Sequence, residues 1–293
     1  MLIKVQQNWT GISLESLFRE RWKAPKKLVH EWRMNKEVKL NGHAAPWSTS
    51  LQQGDLLSIP LMDMADDEAV QATNLEIPIL YEDEWLLVAN KPAGIDTHPS
   101  QPGDRRSLLN GVAYHLQQTG QTCMIKHIHR LDQDTTGAVL FAKNRLIGSI
   151  LDRMLEERAI KRTYLALVEG SLHKKQGDIN AKIGRDRHHA TRRRVSPTGQ
   201  AAITHYRLLH HDPNRNLSLV SCTLETGRTH QIRVHFSHLN HPLAGDTLYG
   251  GKKIFPRQAL HARKIEFTHP ILEEKMVITA PFLDKPEIFD ERL

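Results

Sequence analysis

Within HIHRLDQDTTG, residues 127–137, two histidines and an arginine lead into Asp132, and a second carboxylate follows at Asp134. A short-armed carboxylate directly behind a basic tripeptide is a candidate nucleophile, metal ligand, ion-pair partner or helix cap. Metal binding is the first alternative to test, because the chain has 18 histidines. His127 and His129 are two apart, and His230, His235, His238 and His241 follow one another closely. A zinc or iron site usually adds a carboxylate or cysteine at a matching distance, and H-E-x-x-H is absent. No metal is expected, and most of these histidines are read as structural groups or as part of a binding surface. A serine or cysteine nucleophile fares no better. There is no G-x-S-x-G, and neither Cys123 nor Cys222 lies in a recognisable cationic pocket. Asp132 and Asp134 sit too close in sequence for a glycosidase pair, whose members normally come from separated segments. What remains is a lone carboxylate between arginines.

The elements that must position it are readable from periodicity. The chain has 293 residues, 39% of them hydrophobic and 25% charged, which suits two globular domains. Lys and Arg exceed Asp and Glu by 40 to 33, a net charge of +7, so the excess must be clustered to attract a polyanion. Nothing resembles a signal peptide or a membrane span, and the two cysteines form no disulfide framework. A reducing cytoplasm is the expected location. Residues 1–62 read as a small basic domain. SLESLFRERWKAPKKLVHEWRMNK repeats apolar and basic positions at near-helical spacing, so Leu14, Leu17, Phe18, Leu28 and Trp32 should be buried. Arg19, Arg21, Lys23, Lys26, Lys27, Arg33 and Lys36 should crowd the outside as a nucleic-acid surface. EVKLNG reads as a strand ending in an Asn-Gly turn, and LQQGDLLSIPL as a strand after a Gly-Asp turn.

Residues 63–77 turn acidic and aperiodic, as a linker would. From residue 78 to 293 strands and helices mix without a regular βαβ repeat, and no nucleotide-binding glycine motif occurs. ILYEDEWLLVANKPAG gives two strands and a loop. SLLNGVAYHLQQTG gives a helix capped by Ser107 and stopped at Gly120. GAVLFAKN and TYLALVEG are strands around the helix LIGSILDRMLEERAI, and THQIRVHFSHL is a later helix. In the alternating LSLVSCTL, Cys222 should be a buried thiol. Charge is densest where Arg185, Arg187, Arg192, Arg193 and Arg194 fall within ten residues. A loop or hairpin of that composition repels itself unless a polyanion lies alongside.

HRLDQDTTG resembles the H-R-L-D-x-x-T-S-G signature of pseudouridine synthases of the large-subunit-rRNA and tRNA type, with Thr136 in the usual serine position. The similarity continues through ANKPAGIDTHP, RTYLALVEG and LETGRTHQIRVHFSHLNHPLAGDTLYG, over about residues 78–265 and in the family's order. The basic N-terminal unit resembles the small S4-like α/β RNA-binding domain carried by many members, through NKEVKLNG and LQQGDLLSI. The resemblance implies an α+β fold. Its catalytic domain is built on a largely antiparallel mixed sheet with flanking helices and a basic cleft.

The resemblance also implies the chemistry: uridine in RNA is isomerised to pseudouridine without metal or cofactor. It assigns the nucleophile to Asp132, since a carboxylate attacks without prior deprotonation. It places Arg233 in a salt bridge that offsets the burial of that charge. It puts Tyr164 against the target uracil. Arg130, with His129 beside it on an RNA-facing rim, would fill the stack vacated by a flipped base. Asp134, Thr135 and Thr136 would support the loop. Arg185, Arg187, Arg192, Arg193, Arg194, Arg228, Lys26 and Lys27 are expected to contact RNA. Large-subunit rRNA is the favoured substrate and tRNA the second, with the protein acting as a monomer that needs no protein partner and no membrane. A non-catalytic ribosome-assembly factor and a nucleoside or glycan hydrolase are the rival readings.

Overall fold

The computed structural model describes residues 1–60, 70–121 and 123–289, so residues 63–69 of the expected linker lie outside the described chain. The N-terminal unit is a four-stranded sheet, β1 (Leu2–Lys4), β2 (Lys39–Leu40), β3 (His43–Ala44) and β4 (Leu56–Ser58), ordered β1-β4-β2-β3. Asn41 and Gly42 both have positive φ, as the tight β2–β3 turn requires. So small a unit buries little surface, and it compensates with large aromatic side chains. Trp22 meets Trp9 and Phe18 edge-on at centroid distances of 5.5 and 5.1 Å, and Phe18 also meets Trp32 and Trp47. The five apolar positions expected inside are all buried.

The basic segment is two short helical pieces. Ser13 caps α1 (Leu14–Ser16), which widens into a π turn where the Trp22 N–H donates to the Leu17 carbonyl. Lys23 then takes a left-handed conformation, and α2 (Lys26–Met34) starts afresh after Pro25, which has no N–H and restricts the residue before it. Among the described residues, four of the seven outward cations have acidic partners. Glu15 pairs with Arg19 and Arg33, Glu273 with Arg21, and Glu157 with Lys23. The last two partners lie more than a hundred residues away, beyond the N-terminal unit, so that part of the surface is a docking face and no free RNA surface. Lys26, Lys27 and Lys36 are exposed.

The docking is tight. Glu273 accepts from Arg21 Nε and Nη2, both at 2.6 Å, and from Trp9 Nε1 at 3.0 Å. Arg153 donates to the carbonyls of Trp22 and Lys23. The tryptophan cluster is continuous with one face of the large sheet.

That sheet has ten strands, with a main path β10-β13-β14-β9-β15-β8-β6-β5 and β16 and β7 alongside β15 and β8. In chain order they are β5 (Ile79–Glu82), β6 (Leu86–Lys91), β7 (Lys126–His127), β8 (Thr136–Ala142), β9 (Lys161–Glu169) and β10 (Gln176–Asn180). A separate hairpin, β11 (Ile183–Arg185) with β12 (Arg193–Val195), follows. Then come β13 (Ile203–Asp212), β14 (Leu217–Leu224), β15 (Leu260–Thr268) and β16 (Lys275–Thr279). Among the described residues every pairing in the large sheet is antiparallel except β8 with β15. The sheet is thus the largely antiparallel mixed one expected.

β6 and β8 are buried on both faces, which explains their unbroken apolar runs. Leu87, Ala89, Val139 and Phe141 meet α3 (Leu108–Gln118), while Leu86, Val88, Ala138 and Leu140 meet α4 (Arg145–Glu156) and the N-terminal unit. Ser107 caps α3 in a reciprocal box with Asn110. Residues 70–77, the end of the expected linker, lie against α3, with the Thr73 N–H on the Asn110 carbonyl and Ile77 against Gly111. The helix α5 (Gln231–His238) packs Ile232 and Phe236 into the same core as α3.

Candidate active site

Asp132 stands in the loop that leads into β8, and its setting is unusually well tied. Four successive carbonyls accept hydrogen bonds. Leu131 O accepts from Thr97 Oγ1 at 3.0 Å, and Asp132 O accepts from the Thr135 N–H at 3.0 Å. Gln133 O accepts from Lys91 Nζ at 2.6 Å and from the Gly94 N–H, and Asp134 O accepts from Arg257 Nη1 at 3.2 Å. Arg257 also donates to Thr136 Oγ1 and is held by two bonds of 2.7 Å to Asp284. Thr135 Oγ1 accepts from Gln258. The two threonines and the Asp134 carbonyl are thus hydrogen-bonded to residues around the loop. Gly137 closes the loop at φ 115°, where an added Cβ would lie 2.3 Å from the Ala262 carbonyl oxygen.

α5 delivers the opposing charge. Arg233 Nη1 donates to Asp132 Oδ2 at 3.1 Å, while its Nε and Nη2 grip both oxygens of Asp246 at 2.7 and 2.9 Å. Burial disfavours the guanidinium charge, but the two carboxylates outweigh it and hold the Arg233 pKa above its ordinary value. The expected partner of Asp132 is therefore in place. Sequence reasoning missed that the arginine's stronger partner is Asp246, although that residue lies in the same motif block, at GDTLYG. Tyr249 of that segment supplies a ring face 5.0 Å from the Arg233 guanidinium. His230 precedes α5 in a left-handed conformation, with Nε2 3.9 Å from Asp132 Oδ2 and Nδ1 2.8 Å from the Tyr249 hydroxyl.

Asp132 opens into a cleft of about 620 Å³, within the usual ~300–1,000 Å³ of ligand pockets. Arg130, Arg158, Arg162, Tyr164, Arg228 and His230 line it. Tyr164 on β9 is buried, and burial pushes its hydroxyl pKa up, opposed by Arg162 beside it. The cleft thus brings Tyr164, Arg130 and Arg228 together with Asp132, which Arg233 bonds from α5.

The tripeptide ahead of Asp132 is not the basic rim expected. His129 is buried, and its Nε2 accepts the Leu140 N–H at 3.3 Å. Burial holds its pKa well below the ordinary value, so the ring is neutral. His127 stacks on His98 at 4.8 Å, and burial together with that neighbour lowers its pKa to about 4. Arg130 is exposed, and His127 is half-buried. His235 is likewise structural, held between Thr204 Oγ1 and the Ala181 carbonyl. In the basic hairpin Arg185, Arg187, Arg192 and Arg194 are exposed, whereas Arg193 is half-buried and its N–H donates to the Tyr249 hydroxyl. Arg228 is exposed and tethered to the Ala201 carbonyl.

Lys91, in the NKPAG segment, is a group whose place the sequence did not reveal. It is fully buried, and burial lowers its pKa to about 7 against the opposing pull of Asp134, Asp132 and Asp96. No helix among the described residues is long and apolar enough to cross a membrane.

Residues 85–238 match the family model described as RNA pseudouridylate synthase, and residues 1–57 match the RluD ribosomal pseudouridine synthase N-terminal domain. The chain is 47% identical over 281 residues to the uncharacterized RNA pseudouridine synthase YhcT of Bacillus subtilis, covering 96% of this chain and 93% of that one. It is 36% identical over 295 residues to the ribosomal large subunit pseudouridine synthase D of Nitrosomonas europaea, covering 96% and 84%. The solved human RNA pseudouridylate synthase domain containing 1 superposes with a TM-score of 0.59 at 26% identity, over 74% of this chain and 86% of that one.

Proposed function

The chain belongs to the RNA pseudouridylate synthase family and is an RNA pseudouridine synthase, and from that premise we propose that it isomerises uridines in large-subunit ribosomal RNA with Asp132 as nucleophile. One observation carries the assignment of Asp132. It is a carboxylate lining the cleft, bonded by an arginine whose Nε and Nη2 also hold both oxygens of Asp246. A carboxylate so placed has one oxygen engaged by Arg233 and the other available to the sugar.

The reaction breaks the bond between N1 of uracil and C1′ of ribose, turns the base, and joins C5 to C1′. The proton lost from C5 is balanced by one gained at N1, so nothing is oxidised or hydrolysed. Asp132 holds the sugar while the base turns. Tyr164, low in the cleft, stacks on the uracil. The target must leave its helix at a cost of a few kcal/mol. Arg130, the exposed member of the tripeptide, fills the vacated stack with its planar guanidinium. The exposed arginines of the hairpin, with Arg228, Lys26 and Lys27, grip phosphates, and a monomer suffices. The ribosomal assignment is supported by the N-terminal match and by the name of the Nitrosomonas relative.

The test is site-resolved pseudouridine mapping of large-subunit rRNA and tRNA from cells lacking the protein, complemented with wild type or Asp132→Asn. Restoration of rRNA sites by wild type alone is the expected result. Restoration confined to tRNA would move the substrate, and turnover by Asp132→Asn would remove the nucleophile. Absence of any change, with no activity of the purified protein on either RNA, would favour a binding factor.

A further inference from the structure

Tyr249 sits where the basic hairpin meets the catalytic ion pair. Its hydroxyl oxygen accepts the Arg193 N–H at 2.9 Å and lies 2.8 Å from His230 Nδ1. Its ring carries the Arg233 guanidinium at 5.0 Å and that of Arg192 at 5.6 Å. A phenol has one proton to give, and a main-chain N–H can only donate to it. Among the described residues the hydroxyl has no acceptor within reach other than His230 Nδ1, so donating there is the arrangement that satisfies its proton. Burial lowers the His230 pKa, and Asp132, Arg233, Asp246 and Arg193 are the charged groups around it. The imidazole is therefore neutral and carries a single N–H. With Nδ1 accepting, that proton sits on Nε2, the nitrogen 3.9 Å from Asp132 Oδ2. Burial also pushes the Tyr249 pKa up, which keeps its proton in place.

We propose that Tyr249 and His230 are positioning residues for Asp132. The Tyr249 hydroxyl selects the Nε2–H tautomer of His230, which turns an N–H toward the Asp132 carboxylate, and the backbone of the RNA-gripping hairpin orients that hydroxyl. The inference rests on Asp132 being the nucleophile. The 3.9 Å separation is about 1 Å longer than an N–H···O bond, a slack that catalytic hydrogen bonds commonly show before substrate arrives. RNA docking and the geometry of Asp132 are then coupled, because a hairpin that moves takes the Arg193 donor with it and frees the hydroxyl to rotate.

The test combines histidine ¹⁵N NMR of the full chain with single-turnover kinetics on a large-subunit rRNA transcript. Wild type should show His230 as the Nε2–H tautomer, and Tyr249→Phe a mixture. His230→Ala should slow turnover at saturating RNA by about tenfold, the lower end of what one donor to a charged group contributes. His230→Gln, whose amide nitrogen reaches the Nε2 position, should recover most of that rate, and RNA affinity should be unchanged in both. An Nδ1–H tautomer in wild type overturns the proposal. So does an unaltered rate in His230→Ala, or a glutamine variant no better than alanine. Turnover by Asp132→Asn would remove the premise instead, and the tautomer would stand without it.

Discussion

Replacing Asp246 with asparagine should damage the fold more than replacing Asp132, although both carboxylates pair with the same arginine. The side chains of Asp246 and Arg233 are 1% and 8% exposed, and two parallel bonds join them. Asparagine keeps one acceptor and turns an amide N–H₂ against a guanidinium donor, leaving Arg233 a poorly compensated buried charge. Breaking such a pair from one side costs about 3–5 kcal/mol. In a chain of this size each kcal/mol moves Tm by about 2–4 °C, so a fall of roughly 6–20 °C is expected. Asp132 is 17% exposed at the cleft and shares a single 3.1 Å bond with an arginine that Asp246 still neutralises. Its conversion to asparagine should cost about 1–2 kcal/mol. Scanning calorimetry of both variants, beside single-turnover assays, separates the two roles. Asp132→Asn should lose about 2–8 °C and be inactive; Asp246→Asn should lose more and also be slow, because Arg233 loses its orientation. Equal shifts in the two variants, or less than about 2 °C for Asp246→Asn, would show that Arg233 is not anchored as the distances indicate.

Lys91 has a folded-state pKa near 7 against an ordinary value of 10.5, so the unfolded chain binds its proton more tightly. Its burial penalty is complete below pH 7 and is relieved as pH rises toward 10.5; urea unfolding at pH 6.5 and pH 9 should therefore show wild type gaining stability relative to Lys91→Met, and parallel behaviour would refute it. Gly137→Ala drives a Cβ into the Ala262 carbonyl at a position of positive φ. It should cost about 2 kcal/mol or more and depress activity by shifting the Asp132 loop, as read by calorimetry and turnover. Arg187, Arg192 and Arg194, changed together to alanine, should flatten the plot of log affinity against log salt by about 0.7–0.9 for each RNA phosphate the hairpin no longer neutralises. Fluorescence anisotropy across a salt series measures that slope, and an unchanged slope would place the hairpin away from RNA.

Local pattern carried much of the site. Asp132 precedes an apolar run that reads as a strand, and the family resemblance placed Arg233 opposite it. Ser107, ahead of an apolar period that stops at Gly120, announced a helix start that the structure keeps. Asn41-Gly42 announced its turn in the same way. These signals are short-range, and the physics that reads them acts over one or two turns of chain. His129 shows where such reading fails. Its polarity suggested a surface group, yet the ring is turned inward onto a backbone donor of the neighbouring strand, and nothing within HIHRLD records that direction.

The sequence by itself determined the family through its ordered motifs, which are local properties of the chain, and the resemblance they carry implied the mixed α+β architecture and the pairing of Asp132 with Arg233. Tertiary structure alone decided how those residues are held. Glu273 locks the N-terminal unit through Arg21, 252 residues away in the chain. Arg257 ties down a loop 123 residues earlier, and Arg193 reaches Tyr249 across 56. Which donor meets which acceptor over such separations is set by how the sheet closes on its helices, since only packing brings the groups within hydrogen-bond distance and excludes the water that would otherwise satisfy them.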